Sequence, residues 1–553
     1  MAGLVLTAIL VPQGMAYAEL AGLPAITGLY TSILCLVGYA LLGPSRILVL
    51  GPDSSLGPMI AATILPLAGA DGSPSRAIAL ASMLALLVGA MMILAGVAKL
   101  GFVADLLSKP TQIGYMTGLA LTILVGQLPK LCGFSVHSDT LIGDITGFVA
   151  GVRANETVTA AVLVGLFGLA VILVLQRWLP KVPAVLVAVV ASIGAALLFD
   201  LAGHGVTLVG TLPQGLPPFT IPKVTTSDFG LLVAGALGIS LVALTDTIST
   251  ASAFAGRIGD EVQANQEMIG IGTANIAAGL FQGFPVSTSG SRTAVAEQSG
   301  AKTQVTGLVG AAMIVLMLVA VPGLFRNLPQ PTLAAVVMAA ALSLADIAGM
   351  RRLWSVRRTE FALSIAAFLG VAVLGVLPGI GIAVGLSILN VFRRSWWPYS
   401  TRLGRAGDVP GYHDVRSHPG AEQVEGLIVF RFDAPLFFAN ARAFREQIRA
   451  MASSEPRPRW ILVASEPITD VDTTAADMLE DLDEALNRQG ISLVFAEMKD
   501  PVRAKIERYE LTRTIDPEHF FPTIESAVEA FTQLQWSGAD GPGPDADRED
   551  GAP

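Results

Sequence analysis

The first 400 residues are written as about fourteen apolar runs parted by short charged or Pro/Gly-rich breaks. They lie near 3–20, 24–42, 53–70, 76–98, 106–127, 157–177, 183–202, 229–251, 263–281, 289–299, 303–323, 331–345, 360–377 and 379–396. The hydrocarbon core of a bilayer takes roughly 20 apolar residues per helix. Inside it every backbone N–H and C=O must find a partner within the protein, which leaves helices as the only way to span from runs of this length. The pattern therefore predicts a polytopic α-helical membrane protein with about fourteen transmembrane segments. Runs such as 289–299, and the one that opens at Asp53 just after a Gly-Pro, are too short or too interrupted to cross alone. They read as half-helices, which a membrane tolerates only when they are buried in protein or line a cavity.

Charge divides the chain into two materials. Residues 401–553 hold 16 Lys/Arg and 28 Asp/Glu, a net −12, whereas the first 400 hold 19 and 16, a net +3. The expected organisation is a transmembrane domain over 1–400, a soluble domain over 408–535 and a disordered Gly-, Pro- and Asp-rich tail over 537–553. An acidic soluble part without a basic stripe gives no reason to invoke nucleic acid. The two cysteines, Cys35 and Cys132, cannot form a disulfide framework or a zinc cluster. No cleavable leader is expected, because the apolar run at 2–10 continues past Pro12 and Gly14 without a cleavage-like site.

Lys and Arg concentrate in the loops after even-numbered runs, at Arg46, Lys99, Arg177, Lys181, Arg257, Lys302, the group Arg351, Arg352, Arg357 and Arg358, and then Arg393 and Arg394. By the positive-inside rule both termini are expected on the cytoplasmic side of the inner (plasma) membrane. The stretch 346–358 is too charged to span and is expected along the inner interface. Two longer loops, about 130–156 and 203–227, are expected outside.

Polar residues within the apolar runs are costly, about 3 kcal/mol for a mid-membrane charge on insertion scales, and each is a functional candidate. The first cluster is Gly51-Pro52-Asp53-Ser54-Ser55, in which Asp53 either caps a helix or faces a ligand. The second is Pro285-Val286-Ser287-Thr288-Ser289-Gly290-Ser291-Arg292-Thr293, again a Pro-containing break before a short helix. The two breaks are about 235 residues apart and each falls in the third run of a seven-run half, the arrangement that points to a transporter site between inverted repeats. Helix N-termini offer unpaired N–H groups and a partial positive charge. With Ser289, Ser291 and Arg292 beside them, they suit a small anion, unless Arg292 is engaged structurally by a carboxylate such as Asp246. The third cluster is mid-run, where Asp246 and Thr250 share a helix face. It suits a coupling Na+ or H+, or a structural carboxylate. In the first run Gln13 can offer its amide to a ligand and Tyr17 follows one turn later, while Glu19 is expected in solvent near the outer end.

Past residue 412 strand-like and helix-like stretches alternate (426–432, 440–451, 460–464, 474–487, 492–496, 527–534), which predicts a small α/β layer. It has no phosphate-binding glycine loop and no His/Cys ligand set, so catalysis is unsupported. Asp472 or Thr473 is expected at a helix N-cap.

These motifs resemble the SulP family of sulfate-permease-like anion transporters, the prokaryotic relatives of the solute-carrier sulfate/anion exchangers. Pro12 to Ala18 with Ala21-Gly22-Leu23-Pro24 and Gly28-Leu29-Tyr30, Gly43-Pro44-Ser45-Arg46 with Gly51-Pro52-Asp53-Ser54, and Asn265 through Val295 carry the likeness, which covers nearly the whole chain. The resemblance implies a 7+7 inverted repeat arranged as core and gate domains, elevator-like alternating access, a cytoplasmic STAS domain and a homodimer. It implies an anion held by Gln13, Tyr17, Asp53, Ser54, Ser289, Gly290, Ser291 and Arg292, a coupling cation or proton at Asp246 and Thr250, and a possible regulatory site or protein partner at Asp472 and Thr473, where Thr473 replaces the family's more usual serine. The expected function is secondary active transport of a small inorganic anion, sulfate first, with bicarbonate or a dicarboxylate as alternatives. No cofactor and no enzymatic activity are expected beyond H+ or Na+ as coupling ion. A membrane anion sensor signalling through the STAS domain is the alternative of a different class.

Overall fold

The computed structural model describes residues 1–553 except 70–72, 137, 139, 180–181, 259–260, 408 and 540–553. It divides into two units, Met1–Ile388 and Leu389–Pro553.

The first half of the helical unit comprises α1 (Ala2–Leu20), α2 (Ala25–Leu42), the two-residue strand β1 (Leu50–Gly51), α3 (Gly57–Ala68), α4 (Pro74–Val97), α5 (Lys109–Leu131), α6 (Leu141–Arg153), α7 (Thr159–Trp178) and α8 (Ala184–Leu198). The second half follows with α9 (Thr226–Ile258), α10 (Ala264–Leu280), the strand β2 (Ser287–Thr288), α11 (Gly290–Gln298), α12 (Val305–Ala320), α13 (Gln330–Leu344), α14 (Ile347–Val356), α15 (Arg358–Leu374) and α16 (Val376–Trp396). Each expected apolar run falls on one of these helices. Seven helical stretches among the described residues, one of them running through α13 and α14, are long and apolar enough to cross a membrane, and α3, α8 and α12 are shorter apolar helices.

Packing between the halves is reciprocal. Helix α1 lies on α12 while α4 lies on α9; α1 meets α11 while α3 meets α9; α5 packs on α15 while α13 packs on α7. For these pairs, exchanging the halves returns the same neighbours, as two intertwined repeats require. The two short strands pair antiparallel at the crossing, Leu50 opposite Thr288 and Gly51 opposite Ser287. Here two helix-breaking segments satisfy each other's backbone groups deep in the protein, which is how irregular chain survives at membrane depth.

Within the expected outer loop 130–156 the chain instead forms α6. Its glycines fall at four-residue spacing and form a smooth helix face for the preceding segment: a Cβ on Gly147 would stand 2.4 Å from Val136, and one on Gly151 2.4 Å from the Phe134 ring. Thr140 caps the helix by accepting from Gly143 N at 3.1 Å.

The second unit has a six-stranded sheet in the order β4-β3-β5-β6-β7-β8, built from β3 (Ser400–Arg405), β4 (Tyr412–Asp414), β5 (Leu427–Phe432), β6 (Trp460–Ala464), β7 (Ser492–Ala496) and β8 (Phe520–Phe521). Strands β5 to β8 are parallel and β3 runs antiparallel to both neighbours. Its helices are α17 (Ala441–Ala452), α18 (Thr473–Asn487), α19 (Asp500–Arg508) and α20 (Ile524–Ala539). Alternate residues of each central strand face opposite ways. Phe430, Phe432, Ile461, Val463, Leu493 and Phe495 pack under α17, α18 and α19, whereas Val429, Leu462 and Val494 pack against Ala527, Val528 and Phe531 of α20. The sheet starts at Ser400, ahead of the boundary read at 408, because β3 carries two arginines and a glycine and lacks an apolar run. Helix α20 extends to Ala539, into the tail expected to be disordered, and 540–553 lie outside the described residues.

Candidate functional site

A cavity of about 680 Å³ opens where α1, the two half-helices, α9, α13 and the start of α8 converge. Gln13, Tyr17, Asp53, Ser54, Asp246, Thr250, Ser289, Gly290, Ser291 and Arg292 all line it. Residues separated by up to 279 positions in sequence thus share one wall.

Arg292 is the centre of the arrangement. It sits in the first turn of α11 with a fully buried side chain. Its Nη1 donates to Pro52 O at 2.7 Å. The Nε and Nη2 groups have no hydrogen-bond partner among the described residues. The carboxylate beside it is Asp53, whose Oδ2 lies 3.9 Å from Nη2, a charge contact too long for a hydrogen bond. Asp246, the partner considered from sequence, does not pair with it. The guanidinium approaches the backbone of β1 so closely that a Cβ on Gly51 would lie 3.3 Å from Nη2, which accounts for glycine there. A buried orphan donor costs roughly 1–3 kcal/mol, so two on one guanidinium mark a site built to meet an acceptor.

Several contacts fix the first turn of α11. Ser289 N donates to Val49 O at 3.1 Å. Thr293 Oγ1 accepts from Val49 N at 3.1 Å and donates to Ser289 O at 2.8 Å. Thr288 and Thr247 share a hydroxyl hydrogen bond of 2.9 Å that ties β2 to α9. Ser289 and Ser291 hydroxyls stand 3.1 Å apart at the cavity wall. The first-turn N–H groups of α11 have no carbonyl within their own helix to bond, so hydroxyls, amides and guanidinium converge as donors. The Gln13 Oε1 is buried there without a hydrogen-bond partner among the described residues.

A second network joins the two acids. Asp53 Oδ1 accepts from Ser55 N at 3.0 Å and lies 2.8 Å from Ser55 Oγ, the short-range turn expected of a residue before a helix. The same Ser55 hydroxyl reaches Asp246 Oδ2 at 3.0 Å. One hydroxyl proton therefore serves two carboxyl groups, one on each repeat. Thr250 lies a turn beyond Asp246, its Oγ1 3.7 Å from where a Cβ on Gly290 would be.

Ser55 belongs to the first polar cluster but has no role assigned from sequence, and Asn275 was not singled out at all. Asn275 is fully buried on α10 and pins the segment before β2, accepting from Val286 N at 2.9 Å and donating to Val286 O at 3.3 Å. An asparagine within an otherwise apolar run was the available signal. Glu19 is not free in solvent: it lines a separate cavity of about 450 Å³ with Lys130, whose Nζ donates to the Glu19 carbonyl at 3.2 Å. Both cysteines are free thiols.

In the second unit Asp472 caps α18, accepting from Ala475 N at 2.8 Å and, through its other oxygen, from Phe438 N at 2.8 Å. Thr473 is exposed beside it. Among the described residues no group of His, Cys, Asp and Glu could hold a metal ion.

Residues 1–367 match the family model described as Sulfate permease family, and residues 418–527 match that of the STAS domain. The chain is 41% identical over 532 residues to Probable sulfate transporter MT1781 of Mycobacterium tuberculosis, covering 96% of this chain and 94% of that protein. In fold it is similar to the murine Solute Carrier 26 family member A9 anion transporter in the inward-facing state, with a TM-score of 0.87 at 22% identity over 96% of this chain and 90% of that one. It is also similar to the transmembrane domain of the cyanobacterial bicarbonate transporter BicA, with a TM-score of 0.62 at 22% identity over 69% of this chain and 96% of that one. The chain belongs to the sulfate permease family and carries a STAS domain on the C-terminal side of its membrane helices.

Proposed function

We propose that this protein is a secondary active transporter that imports sulfate, coupled to H+ or Na+ through Asp246 and Thr250, by elevator-like movement of the half-helix core against a gate that includes α5 and α13. The observation that carries the reading is the buried Arg292 with two donors free, set among the Ser289 and Ser291 hydroxyls and a helix N-terminus. Sulfate offers only acceptor oxygens, and Arg292, the two serine hydroxyls and the N-terminus of α11 offer donors. The relative in Mycobacterium tuberculosis is named a probable sulfate transporter, which supports the choice among anions. Asp53 beside the guanidinium and Asp246 beyond the Ser55 hydroxyl put two carboxyl groups and one guanidinium on the same cavity wall, so entry of a divalent anion calls for a compensating cation or proton.

Both termini face the cytoplasm in this reading, on the arginine distribution, and the protein works as a homodimer in the inner membrane. The STAS domain is then a cytoplasmic regulatory or assembly module. Bicarbonate is the second reading, favoured by the likeness to BicA. Uptake of labelled sulfate, bicarbonate and fumarate into proteoliposomes under imposed H+ or Na+ gradients tests both. Sulfate accumulation that collapses with the driving gradient is expected. No uptake of any anion overturns the reading.

A further inference from the structure

Helix α14 bridges α13, whose Ser343 and Leu344 line the cavity, and α15. It packs beside α5 and α15, yet none of its ten residues is buried. Asp346 caps it by accepting from Gly349 N at 2.7 Å, so the helix is locally well formed. At 100° per residue Ile347, Met350, Leu353 and Trp354 gather on about a third of its circumference, with Arg351 flanking that arc next to Ile347 and Arg352 on the far side. Met350 and Leu353 are half-covered by protein, while Ile347 and Trp354 are 50% and 56% exposed. The Trp354 ring is held edge-on by Phe361 at 5.0 Å and lies under the Arg358 guanidinium at 5.5 Å. Arg357 is paired with Glu360 at 3.0 Å. Arg351 and Arg352 are exposed and have no acidic partner among the described residues.

An amphipathic helix with an open apolar edge, an aromatic anchor and unpaired arginines, tethered at both ends to membrane helices, has the makeup of one lying in the headgroup layer. Its charge selects the lipid. We propose that α14 is a binding site for anionic phospholipid headgroups, with Arg351 and Arg352 meeting the phosphates and Trp354 and Ile347 set into the acyl boundary, and that this fixes the cavity-lining end of α13 at the membrane surface. The alternative occupant, an acidic protein face, would engage the same arginines without regard to lipid.

The test uses the full-length protein in nanodiscs of phosphatidylcholine with a minor fraction of phosphatidylglycerol, either lipid carrying brominated acyl chains. The Trp354 signal is the difference between wild type and Trp354→Phe. Brominated phosphatidylglycerol is expected to quench this signal in preference to brominated phosphatidylcholine at equal content. A surface arginine contributes about a fivefold preference for anionic lipid, so Arg351→Gln with Arg352→Gln should cut the preference by about 25-fold. The pair Arg351→Lys with Arg352→Lys should keep most of it. Equal quenching by both lipids in the wild type overturns the proposal, as does a preference unchanged by the glutamine pair or lost equally in the lysine pair. The readout does not depend on transport, so it stands apart from the identity of the transported anion.

Discussion

The Arg292 guanidinium stands 3.9 Å from the Asp53 carboxylate, close enough to feel its charge and too far to bond it. The two residues belong to opposite repeats and meet only because β1 and β2 pair at the crossing. The arginine is thus held by Pro52 O on one side and left open on the other.

Arg292→Ala should weaken anion binding by about 10- to 100-fold, the equivalent of one charge-assisted hydrogen bond at about 1.5–3 kcal/mol. Arg292→Lys should recover only part, since a single ammonium cannot serve Pro52 O and an anion with the same planar fork. Direct binding titration of the purified protein checks this, and an alanine variant with wild-type affinity would remove Arg292 from the site.

Asp53→Asn keeps the turn to Ser55 while deleting the negative charge beside the guanidinium. Because that charge opposes a divalent anion more than a monovalent one, the variant should shift selectivity toward divalent anions. Competition of labelled sulfate uptake by bicarbonate reports it. An unchanged ratio would leave Asp53 as a helix cap and nothing more.

Asp246→Asn should fold and bind anion but lose accumulation against a gradient, while exchange across the membrane continues. Counterflow and gradient-driven uptake, measured side by side, separate the two. Ser55→Ala should give a milder form of the same defect, because it breaks the hydroxyl link between Asp53 and Asp246. Full accumulation by the asparagine variant would make Asp246 structural.

In the STAS domain Asp483 is a buried residue of α18, and Asn487 Nδ2 donates to it at 2.9 Å. Burial, partly offset by that hydrogen bond, raises its pKa from 3.8 to about 6. The folded state therefore holds this proton more tightly than the unfolded one. Asp483 destabilises the domain above pH 6, and the cost fades as pH falls from about 6 toward 4. Asp483→Asn should stabilise the domain at pH 7 by up to about 3 kcal/mol and by little near pH 4. Thermal unfolding of the full chain, followed by circular dichroism at both values, checks the sign. A stabilisation independent of pH would assign the gain to packing.

What could be read in advance follows from how each signal is encoded. Apolar run length reports a membrane helix directly, so the fourteen runs map onto helices. Strands β5, β6 and β7 were legible because they are buried on both faces; β4 and β8 were not, being short edge strands, nor was β3, a near-edge strand of mixed residues. The glycine-spaced α6 was hidden because the same residues that mark turns also make a flat helix face when neighbours pack on it.

The site divides along the same line. Sequence alone determined that two interrupted helices, one arginine and two intramembrane acids had to be accommodated in a membrane protein, because the cost of each in hydrocarbon allows no neutral placement. Only the tertiary structure decided which charge faces which. Strand pairing between the repeats put Asp53, not Asp246, beside Arg292, and one Ser55 hydroxyl joined the two acids. Those contacts depend on distances of 3 to 4 Å between residues about 190 to 240 positions apart, and no local pattern along the chain encodes them.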